Sequence, residues 1–374
     1  MNSVILIGNG FDLAHGLKTS YRDFIDDFWE KKLSLVINAY NKKELKPATI
    51  NGYRDNILYD YEYEDEEINI GIEKYRETIL YTDAFNNLTG YEKFKSFISP
   101  LGKYSGINNL RFKNNFLGKI TYKSQLKYWV DIEIEYYHDL INCLNGKREG
   151  GIEGLNQEFL FIQNKLEGYL SLQMQKEIKT SENIENNFRS ILQIYLINKA
   201  LSKTNDERVL FLNFNYTNTI KPYINILTEC NVGVKCVNIH GEINNKDNPI
   251  IFGYGDEMDE NYRLIKNLID NRFLDNIKLF KYPEMDNYKN MLSFINSNRY
   301  EIYILGHSCG ISDKTLLNTL FENENCKSIK IFYHKREDGT DNYSDIYKNI
   351  SRIFTKDSLM REIVVNKKDS YPLS

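Results

Sequence analysis

The stretch that most constrains this chain is its beginning, VILIGNGFDLAHGLKTSY, from Val4 to Tyr21. The apolar run Val4-Ile5-Leu6-Ile7 ends at Gly8, Gly10 and Gly16 follow, and Thr19-Ser20 opens a long amphipathic segment. An apolar run, a glycine turn and a helix start describe a β-strand feeding a tight loop. Outward backbone amides and a helix dipole favour an anion in such a loop. Many α/β folds hold a nucleotide this way. The match to the dinucleotide fingerprint is incomplete, because Leu13 stands where a third glycine is expected and Asp12 sets a carboxylate beside any phosphate. The competing reading is a plain strand-to-loop turn.

The chain has 374 residues, enough for one large domain or two ordinary ones. Net charge is −4 with acids and bases interspersed, which argues against a nucleic-acid-binding tail. The cluster Glu62 to Glu67 reads as a solvated loop. Five scattered cysteines, none in a CxxC pair, fit neither a disulfide framework nor a cysteine zinc site. Without an apolar stretch of membrane-spanning length or a signal-peptide pattern at the start, the expectation is a soluble cytoplasmic protein.

Ser20 with Asp23 reads as a capping box, followed by apolar residues at helical spacing from Phe24 to Tyr40. Residues 41 to 125 read as mixed loops and helices. From Leu126 to Leu144 an apolar face recurs at steps of three and four. Asp131, Glu133, Glu135 and His138 accompany it, as a solvated acidic face or a catalytic one. Two further helices are expected over 155 to 203. The second half alternates short apolar runs with helical stretches: Val209-Leu210-Phe211-Leu212, Val237-Asn238-Ile239, Ile250-Ile251-Phe252, Ile302-Tyr303-Ile304-Leu305 and Ile329 to Tyr333. Buried strands alternating with helices predict a parallel sheet. His15, His240, His307 and His334 all follow such runs. Ligands in open parallel sheets bind outside the carboxyl ends of the strands.

His240-Gly241 is the most suggestive pair, a histidine able to act as a base near neutral pH beside a glycine that lets a substrate approach. A histidine bonded to a neighbouring loop is the bland alternative. Asn215 could orient a water or a sugar hydroxyl. Gly306-His307-Ser308-Cys309-Gly310 fits the GxSxG elbow of hydrolases, but only His334 follows it to complete a triad. The milder reading is a ligand-facing loop with Asp313 capping the next helix. A metal-dependent nuclease built on Asp12, Asp131, Glu133 and Glu135 is a third option, although no spacing forces these acids together.

Six blocks resemble the AbiH-type phage abortive-infection family: GNGFDLAHGLKTSY, WVDIE at 129 to 133, LNFNYTNT at 212 to 219, NIHG at 238 to 241, IFGYGD at 251 to 256 and LGHSCGISD at 305 to 313. More distantly they resemble the sirtuin-like nucleotide-binding fold of bacterial defence proteins. That resemblance implies a Rossmann-like parallel sheet in an α/β fold, formed by residues 1–20 and 205–374, with a large mostly helical insertion over 21–204. It implies NAD or a related nucleotide as substrate or ligand, with no separate cofactor and no metal. Gly8, Asn9, Gly10, Phe11, Asp12 and His15 would lie around the NAD loop. Asn215 and His240 would be catalytic, next to Gly241, and Gly306, His307 and Ser308 would line the adenosine side. Two departures stand out: Thr217 replaces a usual aspartate, and Asp12 is charged where a small residue is common. The implied function is an abortive-infection effector of NAD-glycohydrolase type. The alternatives are a non-catalytic nucleotide sensor and a metal-dependent nuclease. A homo-oligomer or a companion defence protein are the expected partners, with no role for a membrane or for nucleic acid.

Overall fold

The computed structural model describes residues 1–47, 53–54, 57–58, 61–72, 79–80, 82–98, 110–126, 131–176, 184, 186, 208–229 and 233–373. Two compact units are present: residues 1–19, 136–156 and 163–374 form one, and residues 20–135 with 157–162 form the other.

The first unit is built on six parallel strands, β1 (Asn2–Ile7), β2 (Arg208–Asn213), β3 (Gly233–Asn238), β4 (Tyr300–Leu305), β5 (Cys326–Tyr333) and β6 (Tyr371–Pro372). Their order across the sheet is 3-2-1-4-5-6, that of a Rossmann-type doubly wound sheet. Alternation along each strand divides its side chains between two cores. Val4, Leu6, Leu210, Leu212, Ile302, Ile304, Ile329 and Ile331 pack on one face with residues of the helices Asn287–Ile295, Lys314–Phe321, Tyr343–Ile353 and Asp357–Ile363. Ile5, Ile7, Val209, Phe211, Tyr303 and Leu305 pack on the other with Phe11, Ile220, Tyr223 and Leu227. A parallel sheet covered on both faces reads as continuous apolar runs, which is why these strands were legible. One run was not a strand. Ile250-Ile251-Phe252 is buried, but the Ile251 amide donates to the His240 carbonyl, and Tyr254 forms only an isolated bridge with Ile277.

Helices Ile132–Leu144 and Gly151–Gln173 also contribute to this unit. Tyr137 stacks on Tyr254 with ring centroids 3.8 Å apart and donates to Asp259, while Asn156 donates to the Arg272 carbonyl.

The second unit opens with the helix Tyr21–Asn41, started by the expected reciprocal capping box between Ser20 and Asp23. Its core surrounds Trp29, packed against Tyr91 and Phe94 and donating to Thr121 Oγ1. Where mixed loops and helices were expected, strands Lys46–Pro47, Tyr61–Glu64, Ile68–Ile72 and Leu110–Phe112 form an antiparallel sheet. The acidic cluster is solvated only in part, with Glu64 and Glu66 exposed. Glu67 is buried, and with Asp65 it accepts from the buried ammonium of Lys32. Glu135 takes Lys119 and Lys123, and Asp131 accepts from the Glu133 and Ile134 amides at the helix start. The pattern at 127–130, the break near Thr180-Ser181 and most of the second helix expected before 203 lie outside the described residues. No described helix is long and apolar enough to cross a membrane.

Two glycines separate packing from mere turn formation. Gly306 has φ +74 and a Cβ there would lie 2.1 Å from the Phe11 nitrogen; Gly16 has φ +77 with nothing within 4 Å. Gly306→Ala should therefore cost about 3 kcal/mol or more, strain plus overlap, against about 1 kcal/mol for Gly16→Ala. Chemical denaturation of the two variants measures the difference; equal costs would mean that the Gly306 contact is not as close as described.

Candidate functional site

The strand order changes direction between β1 and β4, so the crevice beyond their carboxyl ends is where such sheets take ligands. The turn after β1 and the turn after β4 meet there. The Gly8 amide donates to the Leu305 carbonyl (3.2 Å) and the Gly10 amide to the Gly306 carbonyl (2.8 Å). A Cβ on Gly8 would lie 2.5 Å from His307 Cα, and one on Gly10 2.8 Å from the Gly306 oxygen. These glycines let two turns of the chain touch. The amides of Gly8 and Gly10, expected to face an anion, are bonded to the chain itself. The helix that follows, Asn9–Ala14, has six residues.

Of the loop residues expected around a nucleotide, several are structural. Phe11 lies in the core beneath the sheet. His15 is buried with Nδ1 against the Phe11 carbonyl (2.7 Å) and Nε2 against the Tyr223 hydroxyl (2.6 Å), so both ring nitrogens are engaged. Asn9 accepts from the Thr19 hydroxyl. Gly241 has φ +80 and a Cβ would lie 2.0 Å from the Pro249 oxygen, so the close approach there is that of the chain's own backbone.

Two ionisable groups remain at this edge. The first is Asp12, 1% exposed. Asn215 donates from Nδ2 to Asp12 Oδ1 (3.0 Å) and to the Gly8 carbonyl (3.1 Å), and Thr217 donates to Asp12 Oδ2 (2.6 Å). Asn213 fixes this turn by accepting from the Asn215 amide and donating to the Thr217 carbonyl. The two departures from the sirtuin-like pattern are thus hydrogen-bonded to each other. Burial pushes the Asp12 carboxyl up to about 6, against the lowering effect of Thr217, Thr219 and Asn215.

The second group centres on Asp313, in the turn Ile311–Asp313. Its Oδ1 accepts from Lys278 Nζ (2.7 Å) and lies 3.2 Å from His240 Nε2; its Oδ2 lies 3.6 Å from His307 Nε2. Lys278 is 1% exposed and also donates to the Ser312 carbonyl. His240 is 4% exposed, and its Nε2 lies off the line of an N–H···O bond to Asp313, buried without a hydrogen bond. Burial, then Lys278, holds the His240 imidazole below its ordinary range, with Asp313 opposing. Burial alone would raise Asp313, but Lys278 and then His240 hold it well below the usual carboxylate range. The Phe214 ring touches both histidines, edge-on to His240 at 5.3 Å and tilted on His307 at 4.2 Å.

The elbow reading fares poorly on this geometry. His307 turns Nδ1 to the Cys309 amide (3.0 Å) and Nε2 toward Asp313, away from a role as base for the exposed Ser308. The left-handed non-glycine residue of this loop is Cys309, at φ 53, and burial pushes its thiol up. His334 is exposed at the end of β5. Among the described residues no group of three or more His, Cys, Asp or Glu side chains is arranged to hold a metal ion. Sequence reasoning missed Lys278 entirely and saw Asp313 as a helix cap or as an acid for a hydrolase triad. The LGHSCGISD block was the available signal for Asp313; nothing in NIKLFKY marked its lysine as buried.

The pH dependence of stability tests the Asp12 environment. Between about pH 4 and pH 6 the folded protein keeps a proton that the unfolded chain has released, so stability contributed by this group falls as pH rises. Asn can replace Asp12 in the network, accepting from Asn215 and donating to Thr217. Asp12→Asn should therefore gain on wild type by about 2–3 kcal/mol between pH 4 and pH 7 in denaturation experiments. A stability difference flat across that range would contradict the raised value.

The family model described as Bacteriophage abortive infection AbiH matches residues 4–335. No curated protein and no solved structure matches the chain.

Proposed function

The chain belongs to the bacteriophage abortive infection AbiH family, and from that premise we propose that it is an anti-phage effector that hydrolyses the nicotinamide–ribose bond of NAD or a closely related dinucleotide. The observation that carries the reading is His240: a buried imidazole, lowered by burial and Lys278 and set 3.2 Å from the Asp313 carboxylate, at the carboxyl edge of a sheet in the 3-2-1-4-5-6 order.

Nicotinamide is a good leaving group, and its departure takes the bonding electron pair and neutralises the pyridinium. The barrier is then the oxocarbenium-like ribose, which water captures at the anomeric carbon while a base removes its proton. His240 serves as that base, since its neutral form accepts a proton. Asp12, with a pKa of about 6, is mostly ionised at neutral pH and supplies a fixed negative charge suited to a cationic transition state. Asn215 has its side-chain amide on Gly8 and Asp12. It acts by fixing that carboxylate, a change from the water-orienting role implied by resemblance. Gly8, Gly10 and Gly306 enter as spacers that seat these groups.

The burial of Asp12, Asn215, His240 and His307 favours one second reading, a nucleotide-binding sensor that does no chemistry. Purified protein incubated with NAD and followed for nicotinamide distinguishes the two. The expected result is release that resists EDTA and falls by about 10²-fold or more in His240→Ala, the usual weight of a general base. Saturable binding without product would favour the sensor, and cleavage that persists undiminished in His240→Ala would remove His240 from the mechanism.

A further inference from the structure

An aspartate beside a buried histidine ordinarily stabilises the imidazolium. Around His240 that effect is cancelled. The Asp313 oxygen that faces His240 Nε2 at 3.2 Å is the one that accepts from Lys278 Nζ at 2.7 Å, and the lysine is fixed by its second bond to the Ser312 carbonyl. We propose that Lys278 is a positioning residue that keeps His240 in its neutral form by occupying the Asp313 carboxylate.

The charge balance of the cluster supports this. Lys278 and Asp313 neutralise each other, so a neutral His240 leaves the pocket uncharged, whereas an imidazolium would leave one uncompensated positive charge out of contact with water. Among the described residues, the groups facing His240 are Asp313 and Lys278, His307 from the end of β4, and the rings of Phe214 and Tyr216 from the end of β2. None of the others supplies a second negative charge. A lysine that served packing alone would not need to share the oxygen presented to the histidine. The 2.7 Å contact and near-complete burial of its side chain fix the ammonium where it opposes a proton on His240.

The inference rests on His240 being the base of the proposed reaction, but its test need not. The readout is the NMR titration of His240 in histidine-labelled protein, assigned by its disappearance in His240→Gln. Lys278→Gln keeps a donor for Asp313 and the Ser312 carbonyl while removing the charge, and should move the His240 titration up by about one pH unit or more. Lys278→Arg should leave it at the wild-type position. Should Lys278→Gln not fold, Lys278→Met preserves the packing of the stem and carries the same expectation. A His240 titration unmoved in a folded, uncharged variant overturns the proposal. In an NAD-cleaving protein the acid limb of the pH–rate profile follows the titration upward, and at a fixed pH on that limb the rate falls about tenfold for each pH unit the midpoint rises. If the titration moves while neither wild type nor variant releases nicotinamide, the role of Lys278 stands and the hydrolase reading falls.

Discussion

The contact on which the functional edge depends is the meeting of two glycine turns at the centre of the parallel sheet. Gly306, in a left-handed conformation, presents its carbonyl to the Gly10 amide, and neither turn has room for a Cβ at the point of contact. The contact joins the ends of β1 and β4, the adjacent strands on either side of the topological switch. Asn215, from the end of β2, reaches across to the Gly8 carbonyl and the Asp12 carboxylate together. Backbone packing thus fixes the geometry before any ionisable group contributes.

On that frame the fold places two buried groups that burial shifts toward their neutral forms, Asp12 upward and His240 downward. Asp12 has few counter-charges and is raised by burial, to about 6. His240 is lowered by burial and kept low by the nearby lysine. The cost of burying Lys278 and Asp313 is offset by their mutual contact, because breaking such a pair leaves a bare charge in the interior.

Much of the sheet was legible in the sequence because both of its faces are covered, so its strands read as uninterrupted apolar runs. The run Ile250 to Phe252 looked the same and is equally buried, but local pattern cannot tell ladder pairing from a covered loop. The antiparallel strands of the second unit were hidden for the opposite reason. Tyr61-Glu62-Tyr63-Glu64 carries acids on alternate positions, and the cluster that follows it reads as solvated until the buried Lys32 is known. Of the candidate site, His240 and Asn215 drew notice because histidine and asparagine at strand exits are conspicuous, and both are buried at the carboxyl edge of the sheet. The glycine loop around Phe11 and His15 suggested a ligand; in the fold the His15 ring nitrogens meet the Phe11 carbonyl and the Tyr223 hydroxyl. Lys278 left no trace, since its partners Asp313 and the Ser312 carbonyl lie far along the chain.

The central claim is that the carboxyl edge around β1, β2, β3 and β4 takes a dinucleotide. Hydrogen–deuterium exchange of the protein with and without NAD tests it most directly. The account requires slowed exchange in the peptides covering 8–15, 213–219, 239–242 and 306–313, with the helix Tyr343–Ile353 unaffected. Protection confined to residues 21–135, or no protection at saturating NAD, would contradict it.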